Sequence, residues 1–435
     1  MRHVGNGWVM AAALWASAGV AATLPPVNAA RLESTLKALS AFGAEPEGGV
    51  SRVGFSQADL DGRSYVMGLM REAGLEIRID AAGNLFGRRE GRESLPALLI
   101  GSHIDSVPHG GNYDGDVGSL GAIEVARALQ GAGVSLRHPL EVVIWSDEEG
   151  GRYYLGSFGS DAAAGNLPAG IAARRDADGV PLGDWLRRMG GDPERLSEAR
   201  ITRGRYAGYL ELHIEQGAVM ERAGIPIGVV QGIVGISSRT CTAQGFANHA
   251  GTTPMDQRKD ALAATSKAVL AVREEVRAEP EGHPVGTVGW IEAKPGAVNV
   301  IPGTVDFTVE IRDLDEARIA RIDARIQSRL ATIGAEESVQ MHCTAPEVST
   351  AAVTDPAFRA AIHAAADAAG LGAMELPSGA GHDAQNVATF APMGMIFVPS
   401  VGGISHSPKE YTTPDAVAHG VEVLRRTVLG LDVSL

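Results

Sequence analysis

Cysteine is nearly absent from this chain: 435 residues contain two, Cys241 and Cys343. Two thiols this far apart make neither a disulfide framework nor a thiolate metal site, so any metal must bind through nitrogen and oxygen. Positive charge is also short. Lysine and arginine number 38 against 52 acids, a formal net charge of −14, and such a surface lacks the basic face that releases counterions from nucleic-acid phosphates. No internal repeat is visible, and low complexity is confined to an alanine-rich leader. Long apolar runs are missing except for Trp8 to Ala22, which follows Arg2 and His3 and contains the small-residue ends Ala16-Ser17-Ala18 and Val20-Ala21-Ala22. Residues 1–22 therefore read as a signal peptide, too short for a membrane span, and the mature protein is expected to have none. Export to the periplasm is the expectation; an unprocessed leader would leave the protein in the cytoplasm.

Apolar mass is plentiful. With 45% hydrophobic and 21% charged residues over this length, the chain can bury one large core or two moderate ones, and two domains is the expectation. Ala97 to His103 and Leu140 to Ser146 are short continuous apolar runs that pass into polar clusters, the pattern of buried parallel strands. Leu120 to Leu129 between them has helical spacing, giving a strand, helix, strand unit. A third run, Tyr209 to Leu212, ends at His213. Texture changes near Ile225, and the following hundred or so residues mix strands (Gly286 to Ala293; Thr304 to Arg312, alternating as Val305, Phe307, Val309, Ile311) with helices (Asp260 to Val276; Leu314 to Ile333). The helix Pro356 to Gly370, the strand Gly394 to Pro399 and the helix Pro414 to Leu429 then read as a return to the first domain. The predicted architecture is α/β: a central, mostly parallel sheet flanked by helices over residues 30–231 and 349–435, with a smaller α+β domain inserted at 232–348.

Histidine, aspartate and glutamate gather at the ends of these strands: Gly101-Ser102-His103-Ile104-Asp105, Tyr113-Asp114-Gly115, Asp147-Glu148-Glu149-Gly150, Glu211-Leu212-His213-Ile214-Glu215-Gln216 and Gly403-Ile404-Ser405-His406-Ser407. In open α/β sheets the carboxyl ends of the strands are where ligands bind. Imidazole and carboxylate suit a zinc-like ion, and two ions sharing one carboxylate can grip an attacking water and a carbonyl together. Any one of these residues alone has a blander reading, a solvated loop histidine or a repelling surface pair at Glu148-Glu149. Acids directly after a buried strand are costly without a compensating cation, which favours function.

In this order, His103-x-Asp105, Asp114, Glu148-Glu149, His213-Ile214-Glu215-Gln216-Gly217 and His406 resemble the M20 metallopeptidase superfamily, and within it the hydantoinase/carbamoylase family. The resemblance runs from about Gly101 to Tyr411, and its most specific pieces are the His213 segment, His249 to Asp256 and Gly379 to Ala384. It implies a dinuclear-metal, aminopeptidase-like catalytic domain with an inserted lid and dimerisation domain. The implied metal ligands are His103, Asp114, Glu149, His213 and His406, with Asp114 bridging two divalent ions, zinc foremost, manganese, cobalt or nickel also suitable. Asp116 is the rival to Asp114, which matches the family's Tyr-Asp-Gly. Glu148 becomes the general base towards a metal-bridging water, and Asp105 orients His103. Gln216, His249, Asn299, Arg312, Gly381 and His382 are implied to bind substrate. His249 also serves a partner's active site, so a homodimer is implied. Without the family, Arg312 reads equally as a surface ion pair with Asp313 or Asp315, and Asn299 and His249 as turn residues.

The implied activity is hydrolysis of the carbamoyl or ureido C–N bond of a small substrate carrying a carboxylate, foremost an N-carbamoyl-L-amino acid. Allantoate or ureidoglycolate is the near alternative. An aminopeptidase or N-acyl amino acid deacylase is more distant, and a non-catalytic periplasmic binding protein, another two-domain α/β class, has no need of a base such as Glu148.

Overall fold

The computed structural model describes residues 27–435, so the expected leader at 1–22 lies outside the described residues. The chain divides into two compact units, one running to Gln231 and resuming over Thr354–Leu435, the other Gly232–Val353. Among the described residues no helix is long and apolar enough to cross a membrane.

The first unit is built on a sheet with strands β1 (Glu76–Ile79), β2 (Leu85–Arg89), β3 (Ala97–His103), β4 (Leu140–Trp145), β5 (Tyr206–Ile214), β6 (Ile227–Ile233) and β7 (Met393–Val398), in the order β1-β2-β4-β3-β5-β7-β6. The four central strands are parallel, and the pairs β1/β2, β2/β4 and β6/β7 are antiparallel. Strands β3, β4 and β7 are buried at every position, which explains their continuous apolar sequence. Side chains alternate between the two faces. Leu98, Ile100, Leu140, Val142, Ile144, Leu210, Leu212, Ile214, Ile396 and Val398 join one core with the helices Ala29–Leu39, Asp116–Gly131, Pro356–Ala368 and Pro414–Ser434. The intervening residues, His103 and His213 among them, point to the opposite face.

In the second unit, Gly235–Gln244 and Thr304–Asp313 form the centre of an antiparallel sheet. Val305, Phe307, Val309 and Ile311 are buried as their alternation predicts, Phe307, Val309 and Ile311 against Val272, Ile322, Ile326 and Leu330 of the helices Ala261–Arg277 and Glu316–Glu337. Asp260 and Asp315 cap those helices by accepting from the N–H groups two and three residues on. Two expectations need correction. The strand expected over Gly286 to Ala293 is split into Val285–Thr287 and Ile291–Lys294, because its register against Thr304–Asp313 slips by one residue between Thr287↔Glu310 and Ile291↔Phe307, leaving an extra residue as in a bulge. Cys241 and Cys343, read as too few and too widely separated for a disulfide framework, are joined in a single disulfide. Antiparallel pairing of Gln340–Cys343 with Gly235–Gln244 puts Cys343 directly opposite Cys241; the fold closes the gap that sequence separation suggested.

Candidate metal centre

Parallel pairing of β3 and β5 matches Leu99 with Tyr209 and Ile100 with Leu210, and the same offset carries His103 level with His213 at the strand ends. Their rings lie 5.9 Å apart, both buried. His103 Nδ1 faces the Asp105 carbonyl at 3.1 Å and His213 Nδ1 the Ile214 carbonyl at 2.9 Å. A carbonyl only accepts, so each Nδ1 carries hydrogen and each Nε2 is turned to the ligand side. Both Nε2 atoms face the same oxygen, Asp114 Oδ1, at 3.6 and 3.0 Å. The other oxygen, Oδ2, faces His406 Nε2 at 3.4 Å, and His406 Nε2 is 3.4 Å from Glu149 Oε2.

Asp114 thus stands between two ligand groups. His103, Asp114 and His213 form one, Asp114, Glu149 and His406 the other, with ligand atoms in each within 4.8 Å of one another. Glu148 is beside them, its Oε2 3.8 Å from His103 Nε2. Asp116, the rival bridge, is occupied elsewhere in a buried ion pair with Arg52.

Electrostatics show that the residues fit a cation. Burial, reinforced by Asp105 and Asp114, pushes Glu148 up to about 7, and burial with Asp114 and Glu148 pushes Glu149 well above the usual carboxylate range. Asp114 is held well below that range despite its burial, by His213, His103 and His406. Hydrogen bonding to Asp114 raises His406 to about 9. His103 and His213 are raised against their own burial, His103 chiefly by Asp105 and Asp114, His213 chiefly by Asp114. Buried carboxylates that crowd one another and draw protons onto their imidazoles compensate their charge best with divalent cations. Gln216 adds an orphan: its Nε2 donates to Asp114 Oδ2 at 2.6 Å while its buried Oε1 has no partner.

Asp105 stands beside the His103 ring and also holds the Glu148-Glu149 loop. Its carboxylate is 3.6 Å from His103 Nδ1, and it accepts from the backbone N–H groups of Glu148 at 3.1 Å and Glu149 at 3.0 Å. It thereby fixes the loop that presents the base and a ligand. His382 is buried edge-on to His213, ring centroids 4.4 Å apart, with Nε2 2.8 Å from Ser378 Oγ, and burial beside His213 holds it well below the ordinary histidine range. Gly381 next to it is exposed. In the second unit, pairing of His249 with Val300 brings His249 next to Asn299, whose carbonyl accepts from Ala250 N–H. Both are exposed, and His249 Nδ1 accepts from Gly251 N–H. Arg312 pairs with Glu310, two residues back on the same strand face, at 2.7 Å, while Asp313 holds Arg318. Sequence reasoning missed Glu410, which accepts from the N–H groups of Tyr113 and Asp114, and gave no role to Glu211, which is buried and satisfied by Ser102, Tyr209 and Ala384.

The model of peptidase family M20/M25/M40 matches residues 99–430. An N-carbamoyl-L-amino acid amidohydrolase of Geobacillus stearothermophilus is 41% identical over 92% of this chain and 98% of its own. A solved amidase of the hydantoinase/carbamoylase family from Burkholderia multivorans superposes with a TM-score of 0.88 at 36% identity, covering 94% of this chain and 98% of that one. The chain belongs to the hydantoinase/carbamoylase branch of the M20 family. A ureidoglycolate hydrolase of Arabidopsis thaliana is 36% identical over 94% of this chain and 87% of its own. The enzyme is therefore an amidohydrolase acting on C–N bonds of linear amides, with the α/β architecture expected, and the binding-protein alternative falls.

Proposed function

We propose that this amidohydrolase removes the carbamoyl group from an N-carbamoyl-L-amino acid. The observation that carries the chemistry is the Asp114 carboxylate, one oxygen turned to His103 and His213 and the other to His406, with Glu148 beside it. The choice of substrate is supported by the relative from Geobacillus stearothermophilus. Two divalent cations held by His103, Asp114, Glu149, His213 and His406, zinc foremost, would supply the positive charge that acidifies water and polarises the substrate carbonyl. Glu148, whose backbone N–H is held by Asp105 and whose Oε2 stands 3.8 Å from His103 Nε2, takes a proton from the attacking water. The water oxygen bonds to the carbamoyl carbon, the bond to the amino-acid nitrogen breaks, and Glu148 returns its proton to that nitrogen. The carbamate released decomposes to ammonia and carbon dioxide.

Arg312 is assigned the substrate carboxylate, whose planar geometry a guanidinium matches with two hydrogen bonds. Gln216, His249, Asn299, Gly381 and His382 complete recognition in this reading, with His249 serving a second subunit of a homodimer; light scattering that returns a monomer would refute the dimer. We also propose export through the leader at 1–22. The opposed cysteines Cys241 and Cys343 support it, since structural disulfides persist in oxidising compartments. Full-length, uncleaved protein found only in the cytosol would sink it.

Ammonia release by metal-reconstituted protein tests the substrate, offered N-carbamoyl-L-amino acids, allantoate, ureidoglycolate and N-carbamoyl-β-alanine. Preference for N-carbamoyl-L-amino acids is expected. Preference for ureidoglycolate, which the Arabidopsis relative makes the second reading, or for allantoate moves the enzyme within its branch, and activity on dipeptides alone overturns the proposal.

A further inference from the structure

Four of the five ligand side chains sit at strand ends, on the loop fixed by Asp105 or directly before a helix. His406 is the exception: it lies in an irregular loop, is 49% exposed, and has a backbone φ of 52°, a region that costs a non-glycine residue energy unless its surroundings hold it there. What holds it is Glu410. The carboxylate of Glu410 is buried and meets four donors. Oε1 accepts from Tyr113 N–H at 2.9 Å and Asp114 N–H at 3.1 Å. Oε2 accepts from Ser405 Oγ at 2.9 Å and His406 N–H at 3.3 Å. An ionised carboxylate has about four acceptor sites and no donor, so these contacts use its capacity and leave Glu410 unsuited to be a ligand itself. One side chain thus ties the backbone of the bridging carboxylate to the backbone of the loop ligand, and through Ser405, which is also 3.0 Å from Asp114 Oδ2, to the carboxylate.

We propose that Glu410 is a positioning residue for the ligand group Asp114, Glu149 and His406, setting the affinity of that metal position with little effect on the one held by His103, Asp114 and His213. This rests on the dinuclear reading above. The two oxygens of Glu410 make the inference sharp. In Glu410→Gln the amide oxygen belongs opposite the two backbone donors of Tyr113 and Asp114, because an NH₂ group there would face two N–H groups. The NH₂ then faces Ser405, whose oxygen can accept while its one hydroxyl hydrogen goes to Asp114 Oδ2, and His406 N–H, which cannot accept. The substitution thus spares the Asp114 loop and releases His406. Gly111→Ala reaches the same carboxylate from outside: Gly111 lies outside the left-handed region, and a Cβ there would stand 2.1 Å from Glu410 Oε1 and 2.4 Å from its Cβ, displacing the whole side chain and so loosening the Asp114 loop together with His406.

The experiment is titration of metal-free, full-length protein with Zn²⁺ alone, followed calorimetrically, alongside thermal unfolding. Wild type is expected to bind two equivalents. Glu410→Gln is expected to bind the first with unchanged affinity and the second about 10–100-fold more weakly, the usual cost of removing a group that orients a ligand, and Gly111→Ala to weaken both equivalents, the second more than the first. A general packing role would lower the unfolding temperature without telling the two equivalents apart. Two wild-type affinities in both variants, or equal weakening of both equivalents, overturns the proposal, and if Glu410→Gln does not fold, Gly111→Ala decides alone. A wild type that binds fewer than two equivalents instead overturns the dinuclear reading beneath it.

Discussion

Gly115 lies between the bridging Asp114 and the helix that begins at Asp116, and its φ of 67° is a conformation that side chains disfavour. A Cβ there would lie 2.4 Å from Cε1 and 2.5 Å from both nitrogens of the His103 ring. Non-bonded carbons settle at about 3.5–4.0 Å, so Gly115→Ala must drive that ring back by about 1 Å. Metal–imidazole bonds of about 2.0 Å tolerate errors of about 0.2 Å. His103 is therefore lost as a ligand rather than strained. Removing a group that only orients a ligand costs about 10–100-fold in affinity, so losing the ligand should cost at least about 100-fold, or about 2.8 kcal/mol. The left-handed backbone adds about 1–2 kcal/mol of global destabilisation. Zn²⁺ titration should show the loss in the group His103, Asp114 and His213, with a lowered unfolding temperature in the metal-free protein. Wild-type affinity together with a wild-type unfolding temperature would refute the placement of His103 against Gly115.

Gly68, in the C-terminal half of the helix Gln57–Glu72 with open space where a Cβ would stand, offers the opposite case: Gly68→Ala should stabilise the protein by about 0.8–1.0 kcal/mol in denaturant unfolding and leave metal binding untouched. Arg52→Met should cost about 3–5 kcal/mol in the same assay, because it strands the buried Asp116 carboxylate without its partner; a loss under about 1 kcal/mol would contradict this. Metal uptake should release protons. Hydrogen bonding to Asp114 raises His406 up to about 9, so in the metal-free protein it holds a proton that the ion must displace. Affinity should then fall as pH falls below about 9, and binding heats should vary with the ionisation heat of the buffer; heats independent of buffer would count against it.

Much of the fold is legible because its strongest signals are local. A strand buried on both faces must be apolar throughout, as β3 and β4 are, and alternation from Val305 to Ile311 declares a sheet covered on one face. What stayed hidden depends on partners distant in sequence. The pairing of Cys241 with Cys343 follows from strand register across a separation of 102 residues. The slip near Trp290 is visible only against the partner strand. The short β1 and β2 pass unnoticed because Glu76–Ile79 is charged and Gly87 interrupts Leu85–Arg89. At the site, the ligands could be named because their residue types and order are distinctive. Glu410 reads in sequence as one more loop acid, and the hold of Asp105 on Glu148 and Glu149 is made to backbone N–H groups, which leave no mark on residue type.

The central claim is that Glu148 moves the proton while other side chains hold the metals. Metal content and ammonia release measured together on Glu148→Gln test it most directly. The substitution should keep two equivalents of metal and reduce turnover about 10²–10⁴-fold, the usual contribution of a general base. Turnover within a few-fold of wild type, with the metals retained, would contradict the account.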